Sequence, residues 1–186
     1  YDTIVALTKR YNSLHQGKWN RMMDGDPRRL SDFAKLPHIS ISTPMKENEL
    51  PSFLFNGREY SSYKGLLPVC YGMGYQNGAI DLSKGSSVTY QLSSMGSDSV
   101  VVEVDLAPNH PFKGKLIRYS ISVDDTPAQI VDFHTEGRSE EWKMNVLRNQ
   151  AIRYTKHHIR NKKQSLITIT AIDDQIVIDQ IKVWNK

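Results

Sequence analysis

Hydrophobic and polar residues alternate along most of the chain after residue 37, and this period-two pattern predicts β-strands. The predicted strands lie near residues 53–60, 79–82, 87–92, 99–106, 115–123, 128–134, 152–159, 166–172 and 175–183. The alternation is clearest in two rows, Ile117/Tyr119/Ile121/Val123 and Leu166/Thr168/Thr170/Ile172. Many short strands separated by Gly, Pro and Asp turns are typical of an antiparallel β-sandwich or jelly roll. The chain is therefore predicted to be mostly β.

The first residues follow the 3.6-residue period of an amphipathic helix instead. The residues that share its apolar stripe are Ile4, Leu7, Tyr11 and Leu14. Gly17 is placed to end this helix, and a short second helix through Leu30 and Phe33 should stop before Pro37. A helix this short needs a partner to pack against.

These patterns divide the chain into three predicted parts. Residues 1–36 are the end of a helical domain, residues 37–51 a linker with a strand near 38–42, and residues 52–186 the sandwich. The opening residues already resemble the inside of a folded element, so we expect the chain to be a fragment whose true start lies upstream.

One helix interrupts the late strands. Ser139 is suited to cap it, and Glu140 and Glu141 lie in the first turn, where the helix dipole favours anions. The residues on one face are Trp142, Val146 and Asn149. We expect that face to be buried against the sandwich, and the alternative for Trp142 is a platform on which a sugar ring stacks.

Composition excludes several classes of function. The 186 residues are 39% hydrophobic and 24% charged, which fits one folded core, and the net charge of +4 does not demand nucleic acid. The sequence has no apolar run near the ~20 residues that span a membrane. Neither nucleic acid nor a membrane is therefore expected as a partner.

The single cysteine, Cys70, lies in an apolar stretch and rules out a disulfide within the chain. We expect it to be a buried and inert thiol. A nucleophilic role would require a His or Lys arranged around it.

Acidic residues occur as neighbours at Asp124–Asp125, Glu140–Glu141 and Asp173–Asp174. Two carboxyl groups that act as general acid and general base must face each other across a substrate, whereas neighbours on a strand point to opposite faces. Turns explain the first and third pairs. A structural Ca²⁺ is the alternative there, but the ligand spacing is missing, so no cofactor or metal is predicted.

The basic stretch 153–163 offers Lys156 and Arg160 as candidate ligand-binding residues. A solvated edge strand, protected by its charges from pairing with other chains, explains the same pattern. His157 and His158 should face opposite sides of that strand, so they cannot hold a metal together.

A glycine-rich loop forms the other candidate surface, with Tyr71, Gly72, Gly74, Tyr75 and Asn77 as its candidate residues. Its glycines let the backbone approach a ligand or a neighbouring domain closely, and its tyrosines supply contact area. The strand–loop–helix context of a phosphate-binding loop is absent. A domain interface is the interpretation that we prefer to a sugar site.

Taken in order, several segments resemble glycoside hydrolase family 115, which contains the α-glucuronidases acting on glucuronoxylan. The resemblance lies in Tyr11-Asn12 with Gly17-Lys18-Trp19 and Met22-Met23, in the glycine loop and strand 72–80, in the strand and turn 117–125, in the Trp-x3-Val-x2-Asn helix 142–149, and in the final strand 176–183. Residues 161–165 depart from the family pattern because they lack its glycine.

The resemblance implies a galactose-binding-like sandwich at the C-terminus of a larger enzyme, extracytoplasmic and either periplasmic or secreted. In that family the catalytic acids lie in an upstream barrel, so no catalytic residue is assigned here and the fragment itself should be inactive. Expected partners are the upstream catalytic domains and acidic plant polysaccharide, with glucuronate as the sugar for Lys156 and Arg160. A carbohydrate-binding module with its own sugar site and a dimerisation domain are the alternatives.

Overall fold

The computed structural model describes residues 2–13, 50–93, 95–111, 116–161 and 163–186. The chain divides into two compact units, residues 1–40 and residues 41–186. Helix α1, Asp2–Ser13, belongs to the first unit, and its Ile4 and Leu7 side chains are exposed. Gly17, the predicted second helix and the predicted strand near 38–42 lie outside the described residues.

The second unit is a β-sandwich. Its elements are β1 Phe53–Asn56, β2 Ser62–Lys64, β3 Val69–Cys70, a 3₁₀ turn Tyr75–Asn77, β4 Ile80–Leu82, β5 Ser87–Ser93, β6 Ser99–Leu106, β7 Arg118–Val123, β8 Gln129–Asp132, α2 Glu140–Arg148, β9 Ala151–His158, β10 Gln164–Ala171 and β11 Ile176–Asn185. None of the helices in the described ranges is long and apolar enough to cross a membrane.

The described strands form two antiparallel sheets. The six-stranded sheet has the order β3-β4-β11-β6-β9, with β1 also paired to β11, and the five-stranded sheet has the order β2-β5-β10-β7-β8. β4 pairs with residues 176–178 of β11 and β1 with residues 180–183, so the two short strands share one edge of β11. The predicted antiparallel sandwich is confirmed.

The core lies between the sheets and is built by the alternation visible in the sequence. In β7 the buried side chains are Tyr119, Ile121 and Val123, and in β10 they are Ser165, Ile167, Ile169 and Ala171. The row Leu166/Thr168/Thr170 of β10 therefore faces outward. Tyr90 is fully buried and its hydroxyl donates to the carbonyl of Gly57 at 2.6 Å, which satisfies its polar end inside the core.

The strand predictions differ from the structure mainly along one side of the molecule. The predicted strand 53–60 ends at Asn56, because Gly57 and Arg58 form a turn. The short strands β2 and β3 were not predicted, since each is only two or three residues long and lies at a sheet edge with exposed side chains. Periodicity over so few residues carries no signal.

Candidate functional site

The glycine loop, residues 71–78, connects β3 to β4 and lies against Asp179 of β11. The backbone N–H of Tyr75 donates to Asp179 Oδ1 at 2.5 Å. Gly74 has a φ of +76°, and a Cβ there would overlap the Asp179 carboxylate. A Cβ on Gly78 would likewise overlap the side chain of Asn56. These two glycines thus serve close packing within the sandwich itself.

Asp179 also connects the glycine loop to the region after α2. Its Oδ2 accepts a hydrogen bond from Gln150 Nε2 at 3.0 Å. The residue lies where the β11–β6 register shifts between Ile178 and Gln180, an irregularity that redirects a side chain. One nearly buried carboxylate therefore joins three elements, and no pattern in the sequence indicated this role for Asp179.

Large apolar and aromatic side chains are exposed along residues 63–75, and we call this segment the apolar strip. Its members are Tyr63, Leu66, Leu67, Val69, Tyr71, Met73 and Tyr75, each exposed to solvent by 38–67%. They lie on a segment that passes from β2, an edge of one sheet, to β3, an edge of the other. Gly72, at φ +67°, has open space around it and adds no contact. Of the predicted loop candidates, Tyr71 and Tyr75 thus present aromatic surface outward.

Cys70 corrects a sequence prediction. The thiol is exposed rather than buried, because β3 is a two-residue edge strand and both its side chains face solvent. Its Sγ lies 3.4 Å from the carbonyl oxygen of Asn77 and donates a weak hydrogen bond that closes the loop. This contact is the role that the structure gives to Asn77.

A charge cluster that the sequence analysis missed lies on the outer face of the six-stranded sheet. Lys182 Nζ donates to Glu103 Oε1 at 2.6 Å and to Asp105 Oδ2 at 2.8 Å. Asp105 is fully buried, and burial followed by the charge of Glu103 raises its pKa to about 7, against the lowering effect of Lys182. The available signal was a pair of acids alternating with valines in the strand 99–106.

Helix α2 covers part of this charged face. Ser139 Oγ accepts the backbone N–H of Trp142 at 3.1 Å, which confirms the predicted cap. The Glu141 carboxylate lies 2.7 Å from Arg153 Nη2 of β9. Within the helix, Arg148 Nη2 donates to the Oδ1 of buried Asn145 at 2.6 Å. The ion pair of Glu141 with Arg153 is thus a polar contact between the helix and the sheet.

The predicted apolar stripe of α2 is therefore wrong. Val146 is 49% exposed and Asn149 is exposed, while Asn145 is buried. The reason is that the sheet face below the helix is polar. Trp142 is half-buried rather than in the core, and its Nε1 donates to His110 Nε2 at 3.3 Å with the two rings stacked 6.4 Å apart.

The basic candidates lie on and just after β9, which is an edge of the six-stranded sheet as its charges predicted. Lys156 is exposed, and its carbonyl accepts Gln129 Nε2 at 2.8 Å. His157 is buried and His158 exposed, so they face opposite sides as expected. Burial lowers the pKa of His157 to about 4, which keeps it neutral at physiological pH.

Arg160 lies in a turn groove that separate loops build together. The groove encloses about 460 Å³ and is lined by Asp124, Asp125, Arg160, Asn161, Gln164, Leu166 and Thr168. Asp124 shapes it, because its Oδ1 accepts the Leu166 N–H at 2.9 Å and its Oδ2 accepts Ser165 Oγ at 3.1 Å. Sequence reasoning selected Arg160 and the two aspartates separately but not their assembly.

The remaining acidic pairs occupy the predicted positions. Asp124 and Asp125 form the turn after β7, and Glu140 and Glu141 begin α2. Asp173 lies between β10 and β11 and receives a two-pronged ion pair from Arg118, at 2.8 and 3.1 Å, which lowers its pKa. Within the described ranges, no cluster of His, Cys, Asp and Glu could hold a metal ion.

Two comparisons identify the kind of protein. Residues 70–185, more than half of the chain, match the Glycosyl hydrolase family 115 C-terminal domain. A solved family GH115 4-O-methyl-α-glucuronidase, BtGH115A, described as specific for decorated arabinogalactans, is 39% identical over 100% of this chain, with a TM-score of 0.74. The chain belongs to glycoside hydrolase family 115. The resemblance stated from the sequence is thus confirmed, and this family 115 chain spans 24% of the length of BtGH115A.

More distant structures share the fold alone. A family 35 carbohydrate binding module from an environmental isolate is 18% identical over 72% of this family 115 chain and 93% of its own, with a TM-score of 0.52. An exo-β-1,3-galactanase from Phanerochaete chrysosporium is 14% identical over 71% of this chain and 29% of its own, with a TM-score of 0.51. No curated protein matches the chain.

The candidate residues of this family 115 domain separate into two groups at opposite ends of the sandwich. The glycine loop lies beside Asp179, near the Leu106 end of β6, whereas Arg160 follows β9 near the Ser99 end. A strand rises about 3.3 Å per residue, so the ends of β6 lie roughly 23 Å apart. We call these the loop end and the groove end.

Proposed function

We propose that this chain is a non-catalytic accessory β-sandwich of a larger family 115 glycosidase, and that the apolar strip packs against the other domains of that enzyme. The strip carries the proposal. Large apolar side chains concentrated on one exposed segment are typical of a surface that another protein part covers. Two sheet edges also end there, and natural proteins cover or block such edges.

The comparison with BtGH115A supports the other domains of the same enzyme as the occupant of the apolar strip. The whole of this chain matches 24% of that enzyme, so a family member carries much polypeptide beyond the sandwich. Contacts between domains of one chain need no separate partner and bury surfaces of this kind. A second copy of the chain, which would make the domain a dimerisation module, is the alternative occupant.

The engagement of the acidic residues supports the non-catalytic part of the proposal. Asp179 fixes the glycine loop, Asp173 pairs with Arg118, and Asp105 is held by Lys182. Each carboxylate performs a structural task at its own place. Hydrolysis of a glycoside needs two carboxyl groups roughly 5–10 Å apart across a substrate.

The substrate of the whole enzyme is, in this proposal, a plant polysaccharide that bears glucuronic acid, and the enzyme works outside the cytoplasm. Glucuronoxylan is the substrate expected from the sequence, and decorated arabinogalactan is the one stated for BtGH115A. The 186-residue chain alone should release no glucuronic acid from either polymer, measured by chromatography of the products. Turnover that survives purification would refute the non-catalytic role.

The docking role is tested by replacing Leu66 and Leu67 together with serine in the full-length enzyme. We expect the enzyme to lose thermal stability and glucuronidase activity, because the domain then no longer packs on the rest. Ile130→Ser is the matched control, since Ile130 is 68% exposed on β8 and lies off the strip. An unchanged melting temperature for the double variant would contradict the docking role.

Sedimentation of the same variants distinguishes the two occupants. If the strip contacts other domains of its own chain, the double variant and the parent enzyme should have the same oligomeric state. A dimer that dissociates only in the double variant would assign the strip to a second copy instead.

A further inference from the structure

The turn groove at the other end of the sandwich has features that packing on a neighbouring domain does not explain. Its walls are the turn after β7 and residues Arg160 and Asn161 after β9, and its floor is the outer face of β10. The volume of about 460 Å³ is within the range of roughly 300–1,000 Å³ usual for ligand pockets.

Hydrogen bonds hold the groove in a fixed shape. The backbone N–H of Asp124 donates to the Leu166 carbonyl at 2.8 Å, and the Leu166 N–H donates back to Asp124 Oδ1 at 2.9 Å. Thr126 Oγ1 closes the turn by donating to the Val123 carbonyl at 2.7 Å. A site that is already ordered loses little conformational entropy when a ligand enters.

Several polar groups of the groove are not used by the fold. The guanidinium of Arg160, the carboxylate of Asp125 and the amide of Gln164 have no hydrogen-bond or ion-pair partner within the described part of the chain. A planar guanidinium, a carboxylate and an amide together offer both donors and acceptors at short range. Vicinal hydroxyl groups, which are donors and acceptors at once, suit such a set.

The floor of the groove adds an apolar contact. Leu166 is 40% exposed on the outer face of β10, next to Thr168, whose Oγ1 lies 3.2 Å from Thr89 Oγ1. Leu166 therefore offers apolar surface to a ligand in the groove. The C–H face of a pyranose ring can cover the leucine while the ring hydroxyls meet the polar walls.

The charges of the lining decide between neutral and acidic sugars. Among the described residues that line the groove, two carry carboxylates, Asp124 and Asp125, and one carries a guanidinium, Arg160. A ligand carboxylate would therefore meet a net negative lining, since like charges at close range repel. This balance disfavours glucuronate, although Arg160 viewed alone suggested an acidic sugar.

We propose that the turn groove binds a neutral pyranose sugar, with Asp125 accepting and Arg160 donating hydrogen bonds to its hydroxyls and Leu166 contacting its ring. The site is separate from the apolar strip at the loop end. The domain then holds a neutral residue of the polysaccharide while chemistry takes place elsewhere in the enzyme.

The test is a titration of the ¹⁵N-labelled 186-residue chain, followed by its amide NMR spectrum. The probes are methyl β-D-galactopyranoside, methyl β-D-xylopyranoside and sodium glucuronate. We expect saturable shifts at residues 124–126 and 160–168 with at least one neutral probe. Asp125→Asn and Arg160→Ala should each weaken that binding about tenfold, the effect of one lost charge-assisted hydrogen bond.

Matched controls separate lost contacts from changes of charge or fold. Arg58→Ala and Asp174→Asn alter an exposed residue of the same type outside the groove and should bind as the parent chain does. Amide signals outside the groove report whether each variant is folded. If a groove variant is unfolded, Gln164→Ala is tested in its place. A failure here would leave the docking role of the strip untouched.

Three kinds of result would overturn the proposal. The first is the absence of saturable shifts with every probe up to roughly 20 mM, which is beyond the affinities of weak specific sites. The second is shifts confined to other surfaces, or groove variants that bind as tightly as the controls. The third is tighter binding of glucuronate than of both neutral probes, which would contradict the charge argument.

Discussion

The two ends of the sandwich use similar residue types for opposite purposes. At the loop end, Asp179 is nearly buried and fully engaged, with the N–H of Tyr75 on one oxygen and Gln150 on the other. At the groove end, Asp125 is exposed and has no partner among the described residues. The same side chain can thus fix a loop or remain free for a ligand, and burial separates the two roles.

The ends differ in the surface they present as well. The loop end exposes a run of large apolar side chains above a rigidly packed turn, whereas the groove end exposes polar groups around a small apolar floor. An apolar surface over rigid backbone suits a permanent contact with protein. A concave polar surface suits a small ligand that comes and goes.

The largest expected effect tests the rigidity of the loop end. Gly74→Ala should lower the free energy of unfolding by ~2–4 kcal/mol, because a Cβ at φ +76° overlaps the Asp179 carboxylate. The free energy of unfolding is measured by urea denaturation, with tryptophan fluorescence as the signal. Gly72→Ala, at φ +67° but with open space around it, should cost only about 1 kcal/mol.

Equal losses from these two glycine variants would show that backbone strain alone matters and that the contact with Asp179 does not. That result would refute the interpretation that the loop end is more tightly packed than the groove end.

The second prediction concerns acid and the charge cluster near the loop end. The pKa of Asp105 is raised to about 7 in the folded chain, above its ordinary value of 3.8. The folded state therefore takes up this proton first, and Asp105 contributes increasing stability as the pH falls from about 7 towards 4. Asp105→Asn should lack this gain.

The difference in unfolding free energy between the parent chain and Asp105→Asn is measured by urea denaturation at several pH values. As the pH falls from about 7.5 to 4, the parent chain should gain ~1–3 kcal/mol of unfolding free energy relative to Asp105→Asn. A difference that stays constant over this range would show that Asp105 is already charged in the folded state.

The third prediction has the opposite sign and concerns His157, which pairs with Val100 towards the groove end. Burial lowers its pKa to about 4 from the ordinary 6.5, so the unfolded chain takes up the proton first. His157 therefore costs stability as the pH falls from about 6.5 towards 4. His157→Gln should remove this loss.

The measurement is the same denaturation series, with His158→Gln as the control because His158 is exposed on the next position of the strand. The free energy of unfolding of His157→Gln minus that of the parent chain should increase as the pH falls from neutral towards 4. If both histidine variants showed the same dependence of unfolding free energy on pH as the parent chain, the lowered pKa of His157 would be refuted.

The smallest expected effect sharpens the distinction between docking and folding. In the 186-residue chain alone, replacing Leu66 and Leu67 with serine should change the free energy of unfolding by no more than about 0.5 kcal/mol, because both side chains are exposed. Thermal denaturation checks this, with Ile130→Ser as the matched control. A large loss in the isolated chain would mean that the strip stabilises the sandwich rather than an interface.

Several elements could be predicted from the sequence because their signals are local. Alternation over six to eight residues predicted β6, β7 and β10, and Ser139 followed by two glutamates predicted the start of α2. The family was also recognisable, since its motifs occur in order along the chain. These features depend on neighbours in sequence.

The errors arose where the surroundings of an element decide its environment. Helical spacing placed Val146 on the face to be buried, but the sheet below α2 carries Glu103, Asp105 and Lys182, so the helix buries Asn145 instead. Cys70 has apolar neighbours in sequence, yet its strand lies at an edge. A short segment of sequence determines neither the surface that a helix packs against nor the position of a strand at the edge of a sheet.

The sequence by itself determined the mostly β fold, the cap of α2 and the two acidic turns, because turn chemistry and periodic burial act over a few residues. Only the tertiary structure decided that Asp179 clamps the glycine loop across 104 residues of chain, and that Arg160 meets Asp124 and Asp125 around one groove. Such assemblies depend on which strands become neighbours. That choice is made by the packing of the whole core, and a single segment carries no record of it.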